Sequence, residues 1–289
     1  MQPTPILINS QAGLGRNTAT PDQMRERVAE LGIAAEIIET SSQEEMCSVI
    51  RRLQAEGAPR IGVSGGDGTI HEAVQCLACS DTELLILPQG TRNNFAHALQ
   101  LPMDLDEALQ LISSERVVQV DLGKVGHTFF TEAAGVGLFA DALQAYGNAN
   151  KNFWRGLYAI YRIFFSLRSK RLRLTLDGQV ISERAVMCTV ANGYRIGAGV
   201  PVAPNASVTD GLLDVVIFGD LTRFELLPYY WALKHERHLT LPKVSQIQAR
   251  TILIETGLPQ SVHSDDHVVG TTPVTVVAAP RALKVVVPN

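Results

Sequence analysis

The chain has 289 residues, 46% of them hydrophobic and 19% charged, and a formal net charge of −4. This composition excludes a disordered or fibrous chain, and the negative balance argues against a general nucleic-acid binder. The length is more than one compact core needs and fits two domains.

The apolar run at the N-terminus is too short and too uncharged for a secretory signal, and no window approaches the ~18 uninterrupted apolar residues of a membrane span. The expectation is therefore a cytoplasmic protein. Four cysteines, Cys47, Cys76, Cys79 and Cys188, do not make a disulfide framework in a chain of this size, in keeping with a reducing compartment. Cys76 and Cys79, with His235 and His238, make a four-ligand metal set on paper. Helical periodicity favours the alternative, in which the two cysteines belong to the packing or the end of a helix.

In chain order, residues 5–9 (PILIN) read as a short strand. The polar, glycine-rich turn at 10–17 that follows matches neither a P-loop nor a dinucleotide fingerprint. Residues 21–31 have helical period, with Met24, Val28 and Leu31 on one face. A strand over 35–39 ends at Thr40, and Ser41 and Ser42 cap a helix that runs to about 56. A strand over 60–64 leads into Gly65-Gly66-Asp67-Gly68-Thr69 and then a helix over 69–79. Glycines let a phosphate approach the backbone, and the helix N-terminus offers free N–H groups and the positive end of a dipole. Asp67 beside phosphates implies a bridging cation and hence a magnesium nucleotide; the alternative is a tight turn with Asp67 as helix cap.

A strand over 84–87 completes a β-α-β-α-β-α-β pattern, which predicts a parallel, doubly wound sheet. Ligands of such sheets bind outside the carboxyl ends of the strands. The loops at 9–13, Thr40, 65–69 and 88–94 all lie there. In the last of these (PQGTRNN) Thr91 offers a hydroxyl, while Asn93 and Asn94 either contact ligand or cap the next helix.

From about residue 117 the pattern changes to strands over 117–125, 127–132, 172–176, 180–192, 213–218, 245–255, 274–278 and 283–287, separated by turns such as Asp177-Gly178. That predicts a separate β-sandwich or barrel. The boundary falls near Val120, giving an α/β domain over 1–120 and a β domain over 121–279, with a return of the last residues, about 280–289, to the first domain left open. The cleft between the domains is the expected place for a second substrate. Two helical stretches interrupt the strands. Residues 151–173 interleave Phe153, Trp154, Tyr158, Tyr161, Phe164 and Phe165 with Arg155, Arg162, Arg168, Lys170 and Arg171. This suits either a bilayer surface or acyl-chain groove, or a core-packing helix with a solvated basic end. Residues 224–238 read as a second such helix, and there core packing is favoured over the bilayer-surface or acyl-groove reading.

Four motifs together resemble the diacylglycerol kinase catalytic family: GGDGT at 65–69, P-x-G-T-x-N-[ND]-F-A at 88–96, ANGYRIGAGVPVAP at 191–204 and DGLLDV at 210–215. The nearest likeness is to its soluble bacterial lipid kinases, relatives of sphingosine and ceramide kinases. GGDGT is shared with NAD kinases and phosphofructokinases, and the other three motifs favour the lipid branch. The likeness runs from Ile6 to the last strand. It implies an α/β domain followed by a β-sandwich, with ATP and Mg2+ as cofactors. ATP would be held by Asn9, Ser10, Gly13, Thr40, Gly65, Gly66, Asp67, Gly68, Thr69, Glu72, Thr91 and Asn94. The segment 207–212 resembles the family's structural magnesium loop, with a carboxylate from Asp210 and carbonyls from Ser207 and Leu212; from its residues alone, Asp210-Gly211 is a hairpin turn.

Two positions depart from the family. Asn94 replaces an aspartate that helps to hold catalytic magnesium, and an amide brings no charge, so metal affinity should fall. Asp265-Asp266-His267 stands where the family has D-G-E, whose acidic end is the proposed base. His267 is then an alternative proton acceptor, with Asp265 orienting it or substituting for it. The resemblance implies a lipid kinase moving the γ-phosphoryl group of MgATP to a hydroxyl of a diacylglycerol-like or other long-chain lipid, with Asp67, Asp265 and His267 as catalytic candidates. It also implies peripheral membrane contact through 151–173 and no nucleic-acid partner, and leaves a homodimer open. The alternatives are an ATP- or lipid-binding protein without turnover, and a kinase of a soluble alcohol or nucleotide.

Overall fold

The computed structural model describes residues 3–9, 19–137, 167–265 and 267–289. Two compact units emerge: Met1–Leu122 with Pro280–Asn289, and Gly123–Ala279.

The first unit begins with β1 (Thr4–Asn9), α1 (Pro21–Glu30), β2 (Ala35–Thr40), α2 (Gln43–Ala55), β3 (Arg60–Gly65), α3 (Asp67–Leu77) and β4 (Glu83–Pro88). It continues through α4 (Asn94–Ala98), α5 (Leu105–Gln110) and the first part of β5 (Val117–Val125). Its helices start at clear stop signals for the preceding loops. Thr20 and Gln23 form a capping box with Pro21 at the first turn, Ser42 Oγ accepts from Glu45 N at 3.2 Å, and Asp104 caps α5. The sheet is parallel in the order β2-β1-β3-β4-β15, its last strand being the end of β15 (Val274–Val286). Ile6, Leu7, Ile61, Val63, Leu84 and Leu85 are fully buried, as strands covered on both faces require.

The chain leaves β1 toward β2 and leaves β3 toward β4, in opposite directions along the sheet. Right-handed crossovers then put α1 on one face and α2 and α3 on the other. Two cross-links agree: Arg27 of α1 pairs with Asp106 of α5 at 2.8 Å, and Cys47 of α2 is bonded to Cys76 of α3. That bond corrects the expectation of unpaired cysteines. The two helices lie side by side, and positions 47 and 76 have Cα atoms 5.6 Å apart, an ordinary separation for a bridge. It also removes Cys76 from any Cys–His metal set, and among the described residues no group of three or more His, Cys, Asp or Glu stands ready to hold a metal.

The second unit contains the end of β5, then β6 (Thr128–Phe130), β7 (Ala133–Gly137), β8 (Lys170–Leu176), β9 (Gln179–Ala191) and β10 (Leu213–Gly219). After these come α6 (Leu226–Lys234), β11 (Val244–Ala249), β12 (Thr251–Thr256), β13 (Ser261–Ser264), β14 (His267–Thr271) and the beginning of β15. It is the expected β-sandwich. β9 ties it together: its first half pairs with β8, and its second half runs between β7 and β10. Alternate residues of β8 and β10 (Leu172, Leu174, Leu176; Leu213, Val215, Ile217) enter one core with Ile252, Ile254 and Val276. The other face of β10, Val216 and Phe218, packs with Ile196, Val202, Leu221 and Tyr229.

Several boundaries differ from expectation. Residues 245–255 form two strands, β11 and β12, because the Asp177 carboxylate accepts from Arg250 N and Thr251 N at 3.0 and 2.8 Å and turns the chain there. The strands expected at 274–278 and 283–287 are one strand, β15, which continues through Pro280. β7, β13, β14 and α5 were not foreseen. Most of the helix expected at 151–173 lies outside the described residues, and its last four positions begin β8. The second expected helix, at 224–238, is a 3-10 turn followed by α6. It is not a core helix throughout, because Phe224, Leu227, Tyr230 and Trp231 are 87%, 76%, 54% and 56% exposed.

Candidate active-site loops

Strand register brings the expected loops of the first unit to one edge. Asn9 is opposite Thr40, Ile8 opposite Ser64, and Gly65 opposite Pro88, so the carboxyl ends of β1 to β4 finish level. Between β1 and β3 the direction of winding reverses, which is where a doubly wound sheet opens a crevice for a ligand. Asn9 and Thr40 are at that edge; Ser10 and Gly13 lie outside the described residues. Thr40 is buried and its Oγ1 donates to the Ile8 carbonyl at 3.4 Å.

Two glycines of GGDGT, Gly65 and Gly66, have close neighbours where a Cβ would stand, while Gly68 has none within 4 Å. A Cβ on Gly65 would stand 2.5 Å from the Thr69 side chain, and one on Gly90 would stand 2.5 Å from the Gly66 Cα. The GGDGT and PQGT loops are thus packed backbone against backbone. Gly66 is the N-cap of α3 and brings no side-chain cap, so the helix starts with its N-terminus at the loop edge. Asp67 is half-buried, and its Oδ1 accepts from Phe95 N at 3.4 Å, tying the GGDGT carboxylate to the first turn of α4. Asn94 is buried beside that contact, Thr91 is exposed, and Glu72 lies half-buried one turn further along α3.

Two residues of this edge do work that the sequence did not disclose. Asn93 takes a left-handed conformation (φ 50°), accepting from Gly90 N at 2.9 Å and donating to Gly90 O at 3.0 Å, so its amide closes the 90–93 turn instead of capping α4. Gln89 accepts from Ala19 N at 2.5 Å and donates to Ser64 Oγ, joining the PQGT loop to β3 and to the entry of α1. Its position inside P-Q-G-T was a signal, but a partner 70 residues away was not readable from spacing.

In the second unit the structure gives Asp265 a bracing role. Its Oδ1 accepts from Glu132 N and Ala133 N at 3.0 and 3.1 Å, and its Oδ2 from Thr131 N and Oγ1 at 3.1 and 3.4 Å. Four donors thus meet on one carboxylate, whose residue has a positive φ of 47°. Of the two expected roles of Asp265, orientation of its neighbours is the one these hydrogen bonds describe. His267 is exposed at the start of β14, and Asp266 lies outside the described residues. Glu132, a buried carboxylate not singled out from the sequence, accepts from Gly197 N at 2.6 Å, while its own carbonyl accepts from Asn192 N at 2.8 Å. Asn192 Nδ2 donates to Thr131 O at 3.2 Å. The ANGYRIG segment, residues 131–133 and Asp265 therefore form one hydrogen-bonded assembly.

The 207–212 loop is an Asx turn around Gly211 (φ 76°): Asp210 Oδ1 accepts from Leu212 N at 3.0 Å and Oδ2 from Gln248 Nε2 at 3.3 Å. Ser207 Oγ bonds within the same loop to Thr209. Nearby, burial pushes the Asp214 carboxyl above its usual range and the Asp210 charge adds to it, while hydrogen bonds from Gln246 and Gln248 oppose. The exposed Asp210 carboxylate beside a second, buried carboxylate, Asp214, offers oxygen donors of the kind that hard cations take.

Comparison with known proteins identifies the family and the fold. Residues 3–125 match the family model for the diacylglycerol kinase catalytic domain, and residues 135–287 match that for the YegS C-terminal NAD kinase beta sandwich-like domain. A diacylglycerol kinase of Mycobacterium tuberculosis is 30% identical over 248 residues, covering 81% of this chain and 79% of the relative. A Pectobacterium atrosepticum protein named "Probable lipid kinase YegS-like" is 29% identical over 229 residues, covering 74% and 75%. The crystal structure of a diacylglycerol kinase from Bacillus anthracis superposes with a TM-score of 0.73 at 23% identity, covering 99% of this chain and 97% of that one, and shares the fold. By sequence, motifs and architecture, the chain belongs to the diacylglycerol kinase family of kinases, with a YegS-type β-sandwich as its second domain.

Proposed function

We propose that this chain transfers the γ-phosphoryl group of ATP to a hydroxyl of a diacylglycerol-like or other long-chain lipid. The observation that carries this reading is the backbone contact between Gly66 and Gly90, which joins the GGDGT and PQGT loops beside the winding switch of the sheet, at the start of α3. The family relationship supports the kinase reading and the lipid acceptor. In the reaction the γ-phosphorus–oxygen bond to ADP breaks, a bond to the lipid oxygen forms, and the hydroxyl proton passes to a base. Such transfer asks mainly for positioning and charge neutralisation, which loop N–H groups and a cation can supply.

Asp67 fits a magnesium ion, since this ion is usually held by one or two carboxylates together with the substrate's phosphates. Bound there, magnesium would neutralise charge on the transferring phosphate. Asn94 adds an amide where a second carboxylate would bind more tightly. For the 207–212 loop, Asp210 with the Ser207 and Leu212 carbonyls would hold a structural cation. We assign proton acceptance to His267 or Asp67, and to Asp265 the positioning of the 131–133 segment.

The test is incubation of the whole protein with labelled ATP, magnesium and a panel of lipid and soluble alcohols, with products identified by mass. A phosphorylated long-chain lipid supports the reading. Turnover of soluble alcohols alone overturns the lipid acceptor, and nucleotide binding with no turnover on any acceptor favours the reading suggested by Asn94 and His267, a binding protein that has lost catalysis.

A further inference from the structure

The helix α6 buries only part of an apolar surface. Tyr229 and Ala232 are buried, and Leu226 and Leu233 pack half-buried against the core containing Phe218 and Leu221. The outward side carries Phe224, Leu227, Tyr230 and Trp231, all more than half exposed. Positions 224, 227 and 231 follow helical spacing, so these side chains form one stripe and not scattered exposures. A helix that is apolar on both its inner and outer faces is one whose outer face has a partner other than water.

Charge identifies the partner. Arg223, Lys234 and Arg237 are exposed around the stripe, and Lys234 Nζ lies 5.9 Å from the centre of the Tyr230 ring. The acidic residues of the segment are paired with cations outside the stripe. Glu225 bonds Lys243 Nζ at 2.8 Å and Thr222 N at 2.7 Å, and Glu236 bonds Tyr194 Oη and pairs with Arg195 at 3.8 Å. The chain as a whole is negative (−4), yet this face offers cations around aromatic rings. Amphipathic rings with a cationic rim are the chemistry of the water–lipid boundary of an anionic bilayer.

We propose that the 223–237 face is a docking surface for anionic membrane, with Phe224, Leu227 and Trp231 entering the headgroup–acyl boundary and Arg223, Lys234 and Arg237 contacting lipid phosphates. This deepens the lipid-kinase reading and rests on it for its purpose, but the physical claim stands apart from catalysis.

The chain has two tryptophans, so a Trp154→Phe background leaves Trp231 as sole reporter. The protein is mixed, without ATP or diacylglycerol, with vesicles of phosphatidylcholine alone or with phosphatidylglycerol added. Trp231 emission should shift to the blue with the anionic vesicles and be quenched by brominated lipid. Flotation should fall about tenfold or more in Phe224→Ser/Leu227→Ser/Trp231→Ser, since stable binding needs both apolar and charge signals. Lys234→Glu/Arg237→Glu should lose the preference for the anionic vesicles. Thermal midpoint and nucleotide binding by calorimetry report whether the variants stay folded. The proposal is overturned if the protein does not float, if it floats with Trp231 emission unmoved, if the triple variant floats like its parent, or if light scattering shows that the stripe is instead the interface of a dimer. Failure of the lipid assay with vesicle binding intact would sink the kinase reading alone.

Discussion

A Cβ placed on Gly90 would meet Gly66 Cα at 2.5 Å and Asn93 Oδ1 at 2.6 Å; the first is backbone, and the second is held by hydrogen bonds to Gly90 itself. Gly90→Ala should therefore destabilise the first unit by about 1–3 kcal/mol and part the two loops. Calorimetry should show ATP affinity reduced about tenfold, the equivalent of ~1.4 kcal/mol. Unchanged affinity would mean that the loop contact does not form the nucleotide site. Asp67→Asn keeps the size of the side chain and removes its charge. Lipid phosphorylation should fall roughly 10²–10³-fold, as when a preorganised electrostatic partner is lost, with the circular dichroism spectrum unaltered. Asp265→Ala separates brace from base. Three backbone N–H groups and a hydroxyl lose their acceptor, so a loss of about 3 kcal/mol in denaturant titration is expected; lost turnover at full stability would restore Asp265 as a base. The candidate nucleotide loops could be picked out because each is a contiguous run of residues whose chemistry is local. The role of Asp265 was not, because its donors stand 132–134 positions away in sequence.

At the scale of elements, legibility followed periodicity. The strands and helices of the first unit announce themselves by buried apolar runs and by caps such as Thr20 and Ser42. β7 (AAGVG) is built of small residues, β13 (SVHS) is four mostly polar residues, and β14 (HVVGT) has strand formers but no alternation over its five positions, so the period of a strand was not visible in them. The segment after α6 shows how packing sets chemistry. His238 is fully buried, its ring stacked on Phe218 with centroids 5.8 Å apart and its Nε2 2.8 Å from the Val202 carbonyl. That geometry suits a neutral imidazole donating from Nε2, and burial holds the group below its ordinary value of 6.5. Unfolded, the same histidine takes up a proton as pH falls through 6.5. The unfolded state thus binds more protons in the window between that value and the depressed folded one, so His238 should cost stability on acidification and be silent above it. His238→Phe keeps the stacking and removes the titration. Its thermal midpoint should drop less than the parent's between neutral and mildly acidic pH, at a price of about 1 kcal/mol for the lost hydrogen bond. Parallel pH profiles for the two proteins would refute the assignment.

For the whole molecule, the order of the chain and the composition of the units do not coincide. The chain leaves the first unit within β5, after Leu122, and re-enters it within β15, at Pro280. The returning ten residues are not an appendage. Leu283, Val285, Val286 and Val287 are at most 5% exposed, β15 pairs with β4, Cys79 N donates to Ala282 O at 2.6 Å, and Ser114 Oγ donates to Val287 O at 2.7 Å. Burying four side chains of this size is worth about 6–12 kcal/mol, of the order of the ~5–15 kcal/mol by which a domain is stable at all. A chain ending at Ala279 should therefore lose the cooperative fold of its first 122 residues while the strands of the sandwich stay formed. Hydrogen exchange read by mass spectrometry should show β1, β3 and β4 unprotected and β8, β9 and β10 still slow. Nucleotide binding should vanish with the first set, because the loops are fixed only by the strands that carry them. Exchange in β1, β3 and β4 as slow as in the full chain would mean that the first unit closes its core without the C-terminal strand.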